Sequence, residues 1–127
     1  MQAAVDSGHQ IIVACDVTDQ SNDKQQFEPM LEQAQDNVGR DKNIKAVSTD
    51  SGYYSKSNVQ FAEDKQIDAY IATQRIKHND AVPKVPRGRC PKDLTVQEKM
   101  TRKLRTKKGR PRSCFRKKAR GHAQECF

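Results

Sequence analysis

Through Thr73 the chain alternates short apolar runs with polar turn clusters. Met1 to Val5 is mostly apolar and ends at Asp6-Ser7-Gly8-His9, a turn signal. Ile11 to Val17 follows, rich in β-branched residues, and is expected to be a strand. Two strands joined this closely predict an antiparallel hairpin. Asn22 or Asp23 is placed to begin a helix running through Asn37, because Phe27, Met30, Leu31, Ala34 and Val38 recur at three- and four-residue steps. Pro29 fits that helix only in its first turn, and Gly39 is a natural stop. Ile44 to Thr49 predicts a third strand, ended by Asp50-Ser51-Gly52. Ser55 is suited to cap a helix from Lys56 to Lys65 that turns Val59 and Ala62 inward. Asp68 to Ala72 predicts a fourth strand. Strands linked through helices imply parallel pairing. The fold class expected is α/β, with an antiparallel hairpin followed by helix, strand, helix and strand.

Beyond Thr73 the pattern changes. Residues 77–94 hold Pro83, Pro86, Gly88 and Pro91 without periodicity, which predicts a linker. Thr95 to Thr106 is expected to be a basic helix, with Thr95 and Glu98 forming a capping box. Val96, Met100 and Leu104 give it a narrow apolar stripe. The rest of 95–127 is almost a basic tract and is expected to be a disordered tail. Residues 1–76 form the expected core.

Composition sharpens that division. The 127 residues are enough for one ordinary domain, and only 34% are hydrophobic, so a core is expected over part of the chain. Through Asp80 acidic residues outnumber basic ones 13 to 8; from Ala81 onward basic residues outnumber acidic ones 16 to 3. An acidic folded part joined to a basic segment suits a polyanionic partner such as nucleic acid, or else a solvated tail with no specific ligand. The run Ile11 to Cys15 is far too short to cross a bilayer. The N-terminus has no basic region leading into an apolar stretch, so a cytoplasmic location is the default expectation. Cys15, in that apolar run, is expected to be a small core residue. A zinc site from Cys90, Cys114, His122 and Cys126 has irregular spacing and is not expected.

The segment richest in chemistry is Thr49-Asp50-Ser51-Gly52-Tyr53-Tyr54-Ser55. It sets a carboxylate at the carboxyl end of an expected buried strand, where α/β sheets hold their ligands. Such an Asp can bind a divalent metal or merely close an Asx-turn. Asp6, Asp16 and Asp23 are expected to cap or turn the chain.

Several stretches together resemble the catalytic domain of bacterial insertion-sequence DDE transposases, which have a ribonuclease H-like fold. They are Gln2-Ala3-Ala4-Val5-Asp6, His9-Gln10-Ile11-Ile12-Val13-Ala14, Asp16-Val17-Thr18 with Asn22-Asp23-Lys24-Gln25-Gln26, Asp50-Ser51-Gly52-Tyr53-Tyr54-Ser55, and Asp68-Ala69-Tyr70-Ile71-Ala72-Thr73. Lys99-Met100-Thr101-Arg102-Lys103-Leu104-Arg105-Thr106 extends the likeness. The resemblance implies a partial ribonuclease H-like core and a set of Asp, Asp and Glu holding two Mg²⁺ or Mn²⁺ ions for phosphodiester cleavage and strand transfer. It makes Asp50 the second carboxylate, both catalytic and metal-binding. The first belongs to a strand upstream of the region matching Met1. The third, a Glu, should follow the basic region, where the chain departs from the pattern and offers Glu125. A fragment inactive by itself is therefore expected. DNA is the expected partner, its phosphates met by Lys99, Arg102, Lys103, Arg105, Lys107, Lys108 and Arg110. Two alternatives are a basic nucleic-acid-binding protein without catalysis and a relic that scarcely folds.

Overall fold

The computed structural model describes residues 1–74 and 84–109. Strands β1 (Gln2–Val5) and β2 (Ile12–Asp16) pair antiparallel, with Gln2 opposite Asp16 and Ala4 opposite Ala14. The register shifts between Ala4 and Val5, so that Val5 meets Ile12. The turn closes through Asp6, whose carboxylate accepts the His9 N–H at 2.8 Å, and Gln10 takes a positive φ of 56°. Alternation across β2 corrects the expectation for Cys15. Ala14 is the buried residue, so the next side chain along the strand turns outward, and Cys15 is exposed.

Helix α1 spans Phe27–Val38 and is preceded by a 3₁₀ turn, Asp23–Gln26. Pro29 is thus in the first turn, where no intrahelical N–H is needed. Phe27, Leu31 and Ala34 are buried, following one helical face; Val38, at the end of that face, is 37% exposed. Gly39 ends the helix at φ 99°, and its N–H donates to the Gln35 carbonyl. The Gln35 side chain then holds the loop into the next strand. It donates to the Lys42 carbonyl at 2.7 Å and accepts the Ile44 N–H at 3.0 Å.

Strand β3 (Ala46–Thr49) pairs in parallel with β4 (Asp68–Ile71) across helix α2 (Lys56–Asp64). Ser55 caps α2 by accepting the Asn58 N–H at 3.0 Å. The return to β4 passes through Gln66 at φ 57°, with the Ile67 N–H bonded to the Ala62 carbonyl. The mixed α/β architecture has the antiparallel hairpin and parallel pair expected of a partial ribonuclease H-like core.

Helix α3 (Val96–Leu104) begins with the full Thr95–Glu98 capping box. Met100 and Leu104, 5% and 1% exposed, join Phe27, Leu31, Val59, Ala62, Ala69, Tyr70 and Ile71 in one core cluster. Burying either side chain is worth about 2–3 kcal/mol. The stripe therefore serves to fasten the helix onto β4. Lys103 adds a polar tie, as its ammonium pairs with Asp68, donates to the Ala69 carbonyl at 2.8 Å and lies 4.6 Å above the Tyr70 ring.

The two strand pairs form two separate sheets among the described residues. A cavity of about 310 Å³ lies between them, lined by β1, by β3 and by the apolar face of α1. Asp50 and Tyr53 are part of its wall.

Candidate metal centre

Asp50 directly follows β3, at the carboxyl end of the parallel pair. The strand stops there because the Asp50 carboxylate accepts the Gly52 N–H at 2.8 Å and caps a 3₁₀ turn, Ser51–Tyr53. The turn-closing role weighed from sequence is therefore present. It occupies Oδ1 of an exposed side chain, and a carboxylate has about four lone-pair sites.

A second carboxylate stands beside it. Asn22, not Asp23, caps the first 3₁₀ turn by accepting the Lys24 N–H at 3.2 Å. The Asp23 side chain instead reaches across to β1, where the Gln2 amide Nε2 donates to Oδ1 at 2.9 Å. Its Oδ2 faces the Asp50 turn. A methyl group on Gly52 would lie 3.1 Å from Asp50 Oδ1 and 3.2 Å from Asp23 Oδ2. A side chain at position 52 would therefore crowd both carboxylates. Of the described Lys, Arg and His residues, none forms an ion pair with either carboxylate. The negative field is felt at Tyr53. Burial raises its phenol above the usual tyrosine range, and the charges of Asp23 and Asp50 push it further the same way.

One buried side chain fastens these two segments together. Asn58, 6% exposed, donates from Nδ2 to the Lys24 carbonyl and to the Tyr53 carbonyl, each at 2.8 Å. It ties the residue after Asp23 to the turn capped by Asp50. Sequence reasoning missed Asn58 and the placement of Asp23. The available signal was Asn58 itself, a poor helix former set beside inward-facing Val59 and Ala62.

The other acids do local work. Asp6 holds His9, which lowers its carboxyl below the usual range chiefly through the backbone hydrogen bond. Asp16 accepts the Val17 N–H at 2.8 Å. The described residues contain no group of three His, Cys, Asp or Glu suited to a metal. Two carboxylates nonetheless suit a hard divalent cation, since Mg²⁺ commonly uses one or two and fills its shell with water and phosphate oxygens.

The basic residues divide by exposure. Lys99, Lys107 and Lys108 are exposed, whereas Arg102, Lys103 and Arg105 are half-buried. Arg102 donates to the carbonyls of Gly88 at 2.9 Å and Arg87 at 3.2 Å. Lys103 is held by Asp68 and Ala69, and Arg105 has a buried Nε with no hydrogen-bond partner. Arg110 lies outside the described residues, as do Glu125, Cys114, His122 and Cys126. Cys90 is exposed.

Asp50 thus stands at the carboxyl end of a parallel strand on an α/β scaffold, the place where open α/β sheets hold their ligands. The family model for the transposase DDE domain matches residues 1–124, and the chain belongs to that family. No curated protein and no solved structure matches it. No helix among the described residues is long and apolar enough to cross a membrane. Membership ties the chain to DNA transposition, with DNA as the family's substrate and divalent metal as its usual cofactor.

Proposed function

We propose that this chain supplies part of the catalytic centre of an insertion-sequence transposase, with Asp50 as a ligand to Mg²⁺ or Mn²⁺. The observation that carries this reading is the place of Asp50. It ends a strand of the parallel pair, within the stretch that matches the transposase DDE domain. A metal bound there supplies a Lewis acid for phosphodiester chemistry on DNA. The chain's own contribution is to hold the carboxylate at the strand end, where the Gly52 N–H fixes its Oδ1. Lys99, Lys107 and Lys108 are the basic residues best exposed to meet DNA phosphates. The reading places the protein in the cytoplasm, with the DNA.

Acting alone the chain is inactive in strand cleavage, because two-metal phosphoryl chemistry needs more carboxylates than this turn gathers. The test is a plasmid-nicking assay with Mn²⁺, run beside mobility shifts of duplex DNA over a salt series. The expected outcome is retardation that weakens with salt, without nicking. Nicking that disappears in Asp50→Asn would overturn the inactivity. No retardation even at low salt would overturn the DNA contact.

A further inference from the structure

The cavity between the two sheets is bounded by strand edges. β1 lines it with Ala3, Ala4 and Val5 in succession, and β3 with every residue from Ala46 to Thr49. Side chains alternate between the two faces of a strand, so a strand that lines a space with consecutive residues presents its edge to it. β4 contributes none of its residues, and β2 only Val13. Among the described residues β1 pairs only with β2 and β3 only with β4, so no strand pairs with the edges that border the cavity. Hydrogen bonds fix which main-chain groups those edges carry. The Asp6 N–H donates to the Ile11 carbonyl and the Asp6 carbonyl accepts the Gln10 N–H, so Asp6 turns its main chain toward the β2 side. Main-chain direction alternates along a strand, which leaves Ala3 and Val5 turned outward. On β3 the Lys45 and Thr49 carbonyls accept the Asp68 and Ala72 N–H groups, so Ala46 is turned away from β4. The apolar face of α1, with Phe27, Met30, Leu31 and Ala34, closes one side of the cavity. Thr49 lines it too, and its buried hydroxyl oxygen has no hydrogen-bond partner among the described residues.

We propose that this cavity is a docking slot for one extended strand of another polypeptide, which pairs with β1 on one side and β3 on the other and joins the two sheets into one. Main-chain groups on a strand edge call for hydrogen-bond partners, and an inserted strand satisfies a ladder on both of its sides at once. A second copy of this chain has no strand to lend, because each of the four described strands is already paired. The walls define the partner's chemistry. Every second residue of the strand, the set facing α1, is apolar. Asp6 and Asp50, which follow β1 and β3, border the same space and favour basic residues at the strand's ends. The inference does not depend on a metal at Asp50.

The probe is a capped, fluorescently labelled peptide of alternating valine and threonine with a lysine at each end, added to the full chain. Fluorescence anisotropy reads its affinity, and amide hydrogen exchange by NMR reads the strand edges. Bound peptide should slow exchange at the Ala3, Val5 and Ala46 amides by about tenfold or more. Ala3→Pro and Ala46→Pro each delete an outward N–H that neither existing sheet uses, a place where a strand tolerates proline. Each should weaken binding about tenfold or more while its circular dichroism matches the wild type. If a proline variant loses its dichroism, peptides N-methylated on all valines or on all threonines decide, since each blocks one edge of the ladder. Both should bind about tenfold more weakly or worse. Unchanged affinity of either methylated peptide, or of a folded proline variant, would overturn the slot, because pairing on one edge would then suffice. Absence of binding would overturn it too. So would amides already protected in the chain alone, because the chain or a second copy of it would then fill the gap.

Discussion

Asn58→Ala removes the fastening between the two acidic segments. The wild-type amide gives two 2.8 Å hydrogen bonds to main-chain carbonyls, those of Lys24 and Tyr53, from a side chain only 6% exposed. Each such bond contributes about 1 kcal/mol net, and an abandoned buried carbonyl costs about 1–3 kcal/mol unless water reaches it. The truncation should therefore destabilise the fold by about 2–4 kcal/mol, a large share of the roughly 5–15 kcal/mol typical of a domain. In a folded unit of this size that lowers Tm by about 10–25 °C. Urea unfolding followed by circular dichroism measures it. Asn58→Asp sharpens the test, because it keeps the shape but turns a carboxylate toward the two carbonyl oxygens. It should be the worse of the two at neutral pH. A loss under about 0.5 kcal/mol for Asn58→Ala, or an Asp variant as stable as wild type, would refute the argument.

Further expectations concern α3. Lys103→Ala should cost about 1 kcal/mol, the partly exposed Asp68 pair contributing little beside the bond to Ala69, and should scarcely alter DNA retardation. Lys108→Ala should do the reverse, leaving Tm unchanged and reducing the slope of log affinity against log salt by about one. Glu98 is held below its ordinary pKa of 4.5, first by the Thr95 backbone N–H and then by the Thr95 hydroxyl. Its contribution is thus complete above that value and fades as the pH falls through the lowered one. Urea midpoints measured from pH 6 down to about 3 should fall less steeply for Glu98→Gln than for wild type.

Local signals read well where the local sequence decides the outcome. The Thr95–Glu98 box, the Ser55 cap, the Gly39 stop and the first-turn Pro29 all rest on interactions within a few residues, and each forms. Cys15 misled because a continuous apolar run hides which side chains face inward; only the pairing of β2 and its packing on α1 settle that. The basic stretch looked uniform in sequence, yet Lys103 is consumed by Asp68 and Arg102 by the carbonyls of 87 and 88, contacts set by tertiary packing. The place of Asp50 in a strand-ending turn was legible because an apolar run, an Asp and a glycine follow one another. Asp23 was not, because its partners are Gln2 and Gly52, 21 positions back and a helix and a strand ahead.

The central claim, a metal held at the Asp50 turn, is tested most directly by amide NMR of the ¹⁵N-labelled chain during addition of substoichiometric Mn²⁺. The account predicts that the signals of Asp50, Ser51, Gly52 and Tyr53 broaden first, together with those of Asp23 and Lys24. Broadening centred on another acid such as Asp64 or Asp93, with the Asp50 turn left sharp, would contradict it.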